Sequence, residues 1–401
     1  MRAALMTRVR SRLRDASRLF NKGKDLQGPV SLKPGAAGSG NVLLSFLTEP
    51  FLLTPAEAGL YGSHPHYGAS LEMARALLDL GYCVDVIRWN NSTFVPSKDY
   101  SIFIDARMNL SRLGPQLGPS CLKIMYIETA HWLFHMSAQY SRIQALQQRR
   151  GVALMPQKTL SPNSGIENAD CGLCTGNEFS LSTYRFANRP LYRIPAISPI
   201  VCPWSEGKAF ASCRKRFLWL GSGGLVHKGL DLVLEAFAAM PEYELFVCGP
   251  IDHERDFQQE YRRELYETPN IHTLGWVEAS SPEFSDVANR CSAVVYASCS
   301  EGGGASVITC MHAGLIPIVN RESSVDIEDF GILLPSSSIE AIRDGVRAAA
   351  SLPLADLESR ARRAWEVARE KYTRERFSER FREVLKSLTT NGPGADPALQ
   401  S

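Results

Sequence analysis

The sequence predicts an α/β protein made of two doubly wound, parallel-sheet domains. Two observations carry this. From Val42 onward, short apolar runs alternate with helical stretches, the pattern of a parallel sheet covered on both faces. Near Lys215 the series starts again, after a connection at 194–214 that holds Pro195, Pro199 and Pro203. The 401 residues suffice for two or three domains. A hydrophobic fraction of 44% and a charged fraction of 21% are those of a globular chain, not a disordered, collagenous or coiled-coil one.

The elements follow in order. Residues 1–24 hold six Arg, Lys22 and Lys24 against Asp15, a net +7, while the rest carries 36 basic and 41 acidic groups, or −5. Leu5, Met6, Val9, Leu13, Ala16 and Phe20 recur at helical spacing among these arginines, which describes a basic amphipathic helix suited to an anionic membrane surface. A solvated leader or an upstream start codon fits the same stretch. The near-neutral body excludes a broad nucleic-acid surface. Residues 25–40 (DLQGPVSLKPGAAGSG) read as a Gly/Pro/Ser linker, so 1–40 is arm and linker.

The first domain spans 41–208, with strands expected at 42–47, 83–89, 101–106, 122–128, 171–175 and 191–196. A helix over 67–80 places Leu71, Ala74, Leu77 and Leu78 on one face, and Gly81 sits where a helix ends. The second domain spans 209–375. Its strands are expected at 216–220, 244–248, 271–275, 292–298, 316–319 and 332–334, with helices near 229–240, 255–267, 282–290, 305–313, 338–350 and 354–371. A last helix, about 374–388, aligns Phe377, Phe381, Val384, Leu385 and Leu388. Its segment 376–388 is expected to pack back on the first domain, and 389–401 to be a disordered tail.

No membrane span is expected. The longest uncharged run, Gly302 to Asn320, contains three consecutive glycines and Pro317. The first twenty residues are too rich in Arg for a secretory signal. Ten cysteines scattered through apolar runs read as buried free thiols of a reducing cytosol. Cys171 and Cys174 form the one C-x-x-C; with no second pair and no nearby His pair zinc is not expected, and on a strand the two point to opposite faces.

Two loops carry chemistry. Gly221-Ser222-Gly223-Gly224 followed by Lys228-Gly229 lies between a strand and a helix, where amide N–H groups and an ammonium can converge on an anion. The spacing fits neither a Walker A loop nor the dinucleotide fingerprint, which argues against a nicotinamide dehydrogenase. Glu301-Gly302-Gly303-Gly304 follows the strand 292–298 and opens a helix. Three glycines are costly unless something must approach the backbone closely. Glu301 can accept hydrogen bonds from sugar hydroxyls.

These residues resemble a known pattern. Gly221…Lys228-Gly229, Glu301-Gly302-Gly303-Gly304, Gly314-Leu315-Ile316-Pro317 and Phe330 to Pro335 resemble, in order, the landmarks of retaining glycosyltransferases of the GT-B fold, family 4, the group 1 transferases. The likeness runs from about 216 to 388. Tyr67 to Arg75 and Gly81 to Val86 more loosely resemble that family's acceptor domain. The resemblance implies a GT-B architecture of two Rossmann-like domains facing a cleft. It implies transfer of a sugar from a nucleotide-sugar donor to an acceptor hydroxyl with retention, in cell-envelope or polysaccharide synthesis, on a glycan or lipid-linked acceptor. No metal or other cofactor is expected. The enzyme is expected in the cytoplasm, peripheral on the inner face of the membrane.

The resemblance also assigns roles. Lys228 neutralises the donor diphosphate, Glu301 contacts the donor sugar, and His131 resembles the histidine that approaches that sugar. Donor binding falls to Gly221, Ser222, Gly223, Gly224, Lys228, Glu301, Gly302, Gly303, Gly304 and Thr309. His66, Tyr67 and Glu128 lie at strand ends on the acceptor side, with Gly176-Asn177 in a similar place. Two positions depart from the family pattern. Ser222 or Gly223 stands where an Arg is usual, and Thr309 stands where a second Glu is usual, eight residues after the first. These changes motivate an alternative: a GT-B scaffold that binds a partner or a nucleotide sugar without turnover.

Overall fold

The computed structural model describes residues 28–36, 38–53, 65–198 and 200–395. The expected basic arm at 1–24 and the last six residues of the expected tail lie outside the described residues.

The N-terminal sheet has seven strands: β1 (Val30–Leu32), β2 (Asn41–Phe46), β3 (Cys83–Arg88), β4 (Ile102–Asp105), β5 (Leu122–Ile127), β6 (Cys171–Cys174) and β7 (Leu191–Arg193). Their order is β1-β3-β2-β4-β5-β6-β7. Every pairing is parallel except that of β1 with β3. β1 corrects the linker reading of 25–40. Three residues suffice for an antiparallel edge strand, and Ser31 adds a hydrogen bond to Asp85 at 2.7 Å. Helices α1 (Pro65–Asp79), α2 (Asn109–Leu113), α3 (Trp132–Arg150) and α4 (Glu178–Ser182) connect these strands. Gly81, at φ +84, turns the chain out of α1. Cys171 and Cys174 enter two different apolar clusters, on opposite faces of the sheet.

The C-terminal sheet has six parallel strands: β8 (Arg216–Leu220), β9 (Glu244–Cys248), β10 (Ile271–Gly275), β11 (Ala293–Tyr296), β12 (Ile316–Asn320) and β13 (Ile332–Leu334). They run in the order β10-β9-β8-β11-β12-β13. This is the strand order of a dinucleotide-type Rossmann sheet. The helices are α5 (Phe210–Cys213), α6 (Leu230–Ala238), α7 (Arg255–Glu260), α8 (Arg262–Tyr266), α9 (Pro282–Asn289), α10 (Ala305–His312), α11 (Ile339–Ser351) and α12 (Leu354–Lys371). The single helix expected over 255–267 is two, broken at Tyr261, whose ring stacks on Phe257 and whose hydroxyl donates to Glu235.

Helix α13 (Arg374–Asn391) returns to the N-terminal domain. Phe377, Phe381, Val384, Leu385 and Leu388 join the core that holds Met73 and Leu77 of α1. α13 runs three residues beyond the expected end, and the Gly394 N–H donates to the Tyr192 hydroxyl at 2.8 Å. Residues 389–395 therefore depart from the disordered tail expected there.

Helix α3 has no counterpart in the sequence reading. It leaves the end of β5 and crosses to the other domain, where Leu146 joins the C-terminal core. Its buried face is His135, Gln139, Arg142 and Leu146. The spacing is helical but three of the four residues are polar, so an apolar periodicity does not reveal it.

Candidate active site

In an open α/β sheet, ligands bind beyond the strand carboxyl ends where the strand order reverses. In the C-terminal sheet that point lies between β8 and β11, which are neighbours in the sheet but not in sequence. The loop after β8 carries Lys228 and the loop after β11 carries Glu301. Gly229, at φ +75, lets the first loop lie on the end of β11: a Cβ there would stand 2.4 Å from the Ala297 carbonyl oxygen. The His227 carbonyl accepts from the Cys299 N–H at 2.9 Å and the Ser298 hydroxyl at 3.2 Å.

The two loops thus bring the charges together. Lys228 Nζ donates to Glu301 Oε1 at 2.7 Å and to the Tyr296 hydroxyl at 2.7 Å. The Tyr296 and Ser298 hydroxyls donate to the same carboxylate oxygen at 2.8 and 3.1 Å. Burial pushes the Glu301 carboxyl up, but the Lys228 charge and these donors outweigh it and hold the group at about 2.

Two histidines complete the cluster. Burial pushes His227 down to about 3. Its Nε2–H donates to the Ser300 carbonyl at 2.7 Å, so the ring is neutral with the proton on Nε2. The His135 ring lies 4.6 Å from it, centroid to centroid. Burial lowers the pKa of both His135 and His227, and the Glu301 charge opposes that fall. His131 feels Glu167 instead, and burial lowers its pKa. It stands just before α3 in a cage of Trp132, Tyr184 and Phe186, and faces a cleft of about 940 Å³ lined also by Phe134, Asn163 and Glu167.

The glycines play parts the sequence left open. At Gly302 a Cβ would meet the backbone of Glu128 and Thr129 at 2.3–2.4 Å, so what approaches this loop is the other domain. At Gly303, φ +129, a Cβ would stand 3.0 Å from the Thr175 carbonyl oxygen, and at Gly304, φ +47, it would meet Val325. Thr175 Oγ1 donates to the Gly302 carbonyl at 2.6 Å, and Ser180 Oγ to that of Glu301 at 3.0 Å. Asn177 caps α4 and meets Ser324 across the domain boundary. Gly221 sits against the Trp219 ring, Ser222 is exposed, and Gly223 faces Glu254. The Gly224 amide, expected to help cradle a phosphate, and the Leu225 amide beside it donate to the Glu254 carboxylate. Thr309 is buried and donates to the Ala305 carbonyl at 2.8 Å, one turn back in α10.

On the acceptor side, Glu128 is held by Arg107 Nε at 2.6 Å and His66 Nδ1 at 3.0 Å. Burial raises its pKa, but the charges of His66 and Arg107 bring it well below the carboxylate range. Tyr67 is buried beside His66 at the start of α1. Among the described residues no group of three or more His, Cys, Asp or Glu side chains is placed to hold a metal ion. Glu254, His135, His227 and Lys158 were not singled out by sequence. Each acts through a partner more than twenty residues away or a backbone group, which no local motif announces.

The buried histidines make the fold lose stability as the pH falls through the mildly acidic range. Unfolded imidazoles take up protons near 6.5, whereas burial holds His227 to about 3 and His312 to about 4 in the folded chain. The unfolded state binds more protons over that interval, so stability is lost as pH falls below 6.5. The loss is about 1.4 kcal/mol per pH unit for each histidine. Asp105, raised by burial to about 6, acts in the opposite sense below that pH. Thermal melts from pH 7.5 down to about 5 should show a falling midpoint, shallower in His227→Gln; a flat midpoint overturns this.

Residues 209–369 match the family model described as Glycosyl transferases group 1. No curated protein sequence matches the chain. Among solved structures it is similar to sucrose-phosphate synthase from Thermosynechococcus elongatus, with 14% identity, 88% of this chain and 99% of that one covered, and a TM-score of 0.61. It is similar to an Anabaena protein solved with UDP and glucose, with 12% identity, 87% and 99% coverage, and a TM-score of 0.55. A TarM variant from S. aureus, solved with fondaparinux, alpha-GlcNAc-glycerol and UDP, gives 14% identity and a TM-score of 0.51. Here 73% of this chain covers 56% of that one, so the chain spans little more than half of TarM. The chain therefore has the GT-B glycosyltransferase fold, and the domain that carries Lys228 and Glu301 is the part that matches the group 1 transferase model.

Proposed function

We propose that the chain is a glycosyltransferase that moves a sugar from a nucleotide-sugar donor to an acceptor hydroxyl with retention of configuration. The observation that carries this is the Lys228–Glu301 pair, supplied by the two loops at the switch point of a GT-B fold and covered by the opposite domain. The bond between the sugar's anomeric carbon and the diphosphate breaks, and the acceptor oxygen forms the new bond. Lys228 stabilises charge developing on the leaving diphosphate, and Glu301 accepts from donor-sugar hydroxyls. The leaving phosphate takes the acceptor's proton, so no separate protein base is invoked, and no step runs through a metal.

The UDP in the Anabaena and TarM structures favours a nucleoside diphosphate as leaving group. The cleft lined by Trp132, Phe134 and Phe186 offers aromatic faces to a glycan acceptor. The basic arm over 1–24 is assigned to an anionic membrane surface carrying that acceptor. A second reading, binding without turnover, is favoured by Thr309 and by the Glu254 carboxylate on the loop amides.

One experiment separates the readings. The full chain, and a form lacking 1–24, are screened by thermal shift and product analysis against UDP-, GDP- and ADP-sugars, with and without anionic vesicles. A donor at 100 times its Kd should add about 2.7 kcal/mol and raise the midpoint by several degrees. A shift with transfer or hydrolysis supports the enzyme, and a shift without either supports the binding scaffold. No shift and no turnover with any donor overturns the proposal.

A further inference from the structure

The loop between α3 and β6 reaches from the N-terminal domain to the Gly221–Gly229 loop, and Lys158 is the residue that arrives. Its main chain is gripped by buried side chains of α3. Gln139 accepts from the Lys158 N–H at 2.9 Å and donates to its carbonyl at 3.1 Å, and His135 donates to the same carbonyl at 2.8 Å. Gln139 is 1% exposed and His135 5%. One buried amide that reads both main-chain groups of a single residue fixes that residue's position.

The Lys158 stem then lies over Gly224. A Cβ on Gly224 would stand 2.5 Å from Lys158 Cγ, so a side chain at that position would block the lysine. The ammonium enters a half-buried space where Lys228, Glu301 and Glu254 also act on it. Burial and Lys228 both lower its pKa, and the two carboxylates raise it. Neither carboxylate pairs with it directly: Glu301 Oε1 faces Lys228, and the Glu254 oxygens face the Gly224 and Leu225 amides. Lys158 makes no ion pair among the described residues. Lys158 thus lies on Gly224 of the loop that carries Lys228, and its charge has no ion pair among the described residues, so an anion bound there offsets the repulsion between the two lysines.

We infer that Lys158, delivered by the N-terminal domain, is a second cation for a diphosphate bound beside Lys228. This rests on the nucleotide-sugar reading above and adds a contact to it: the anion then bridges the two domains. Ser222 and Gly223 bring no charge from the C-terminal side, so the opposite domain supplies the second one.

The test is calorimetry on the full chain with UDP, GDP, uridine, guanosine and inorganic pyrophosphate as probes. Lys158→Met should weaken a nucleoside diphosphate and pyrophosphate by about 10- to 100-fold, the range of a charge-assisted hydrogen bond. It should leave the matching nucleoside unchanged, which a merely structural loss would not do. Lys158→Arg should restore binding to within about threefold, and the salt dependence should fall in Lys158→Met. Wild-type binding of a nucleoside diphosphate that Lys158→Met leaves within twofold overturns the inference and spares the nucleotide-sugar reading. Lysine-dependent binding of pyrophosphate with no nucleotide bound supports the anion site and overturns that reading. Binding of none of the probes overturns both.

Discussion

Glu301→Gln should lower transfer by about 10²- to 10³-fold, the cost of losing one electrostatic group at a reacting centre. The substitution keeps volume and hydrogen-bonding capacity and removes the charge. It also leaves the Lys228 ammonium, 6% exposed, with neutral acceptors alone, the amide oxygen and the Tyr296 hydroxyl, and no opposite charge. Removing one member of a buried pair costs about 3–5 kcal/mol, so the melting midpoint should fall as well. A diphosphate can supply the missing charge. Nucleoside diphosphate should therefore raise the midpoint of Glu301→Gln more than that of the wild type, whereas Lys228→Met should gain nothing from it. Turnover in Glu301→Gln within about twofold of the wild type would remove Glu301 from the mechanism, since that is far less than an electrostatic contact is worth.

The C-terminal half was the more legible one because its chemistry is local. A strand, a glycine turn, a lysine and a helix stand within fifteen residues, and the chain folds them into one loop at the switch point. The triple glycine announced a close approach without naming the visitor, because the visitor, the Glu128–Thr129 backbone, is more than 170 residues away. The glycine amides of 221–224 read as a phosphate cradle because convergence of N–H groups predicts an anion and not which anion. In the structure a carboxylate, Glu254, takes the place. Helix α3 escaped for the opposite reason. A helix that serves a polar cleft buries histidine, glutamine and arginine, and periodicity methods count such residues as outside. His131 was visible as a strand-end histidine, yet a single turn of α3 separates it from His135, the residue that stands against His227.

Arg142→Met should destabilise the fold strongly although it lies outside the Lys228–Glu301 pair. Both Nη atoms of Arg142 donate to the Ala297 carbonyl at 3.1 Å, and Nη1 lies 4.0 Å from Asp231. Ala297 is where the two charged loops meet, since Gly229 must also approach that oxygen. Asp231 is fully buried; burial raises its pKa, and Arg142 and Arg149 oppose the rise. Without Arg142 the carboxylate keeps Arg149 at 2.8 Å, its pKa moves further up, and the Ala297 carbonyl loses its donor. The expected cost is about 3–5 kcal/mol, a fall in the midpoint of roughly 10 °C. Asp231→Asn in the same chain should recover part of it, because the uncompensated charge is then gone, and a double-mutant cycle measures that part. Arg347→Ala is the control: its partner Asp344 is solvent-exposed, so its effect should stay within about 0.5 kcal/mol. Equal midpoints for Arg142→Met and the control would mean that α3 only rests on the C-terminal domain. A large difference means that it fixes where the Lys228 and Glu301 loops meet, and that the site depends on a helix belonging to the opposite domain.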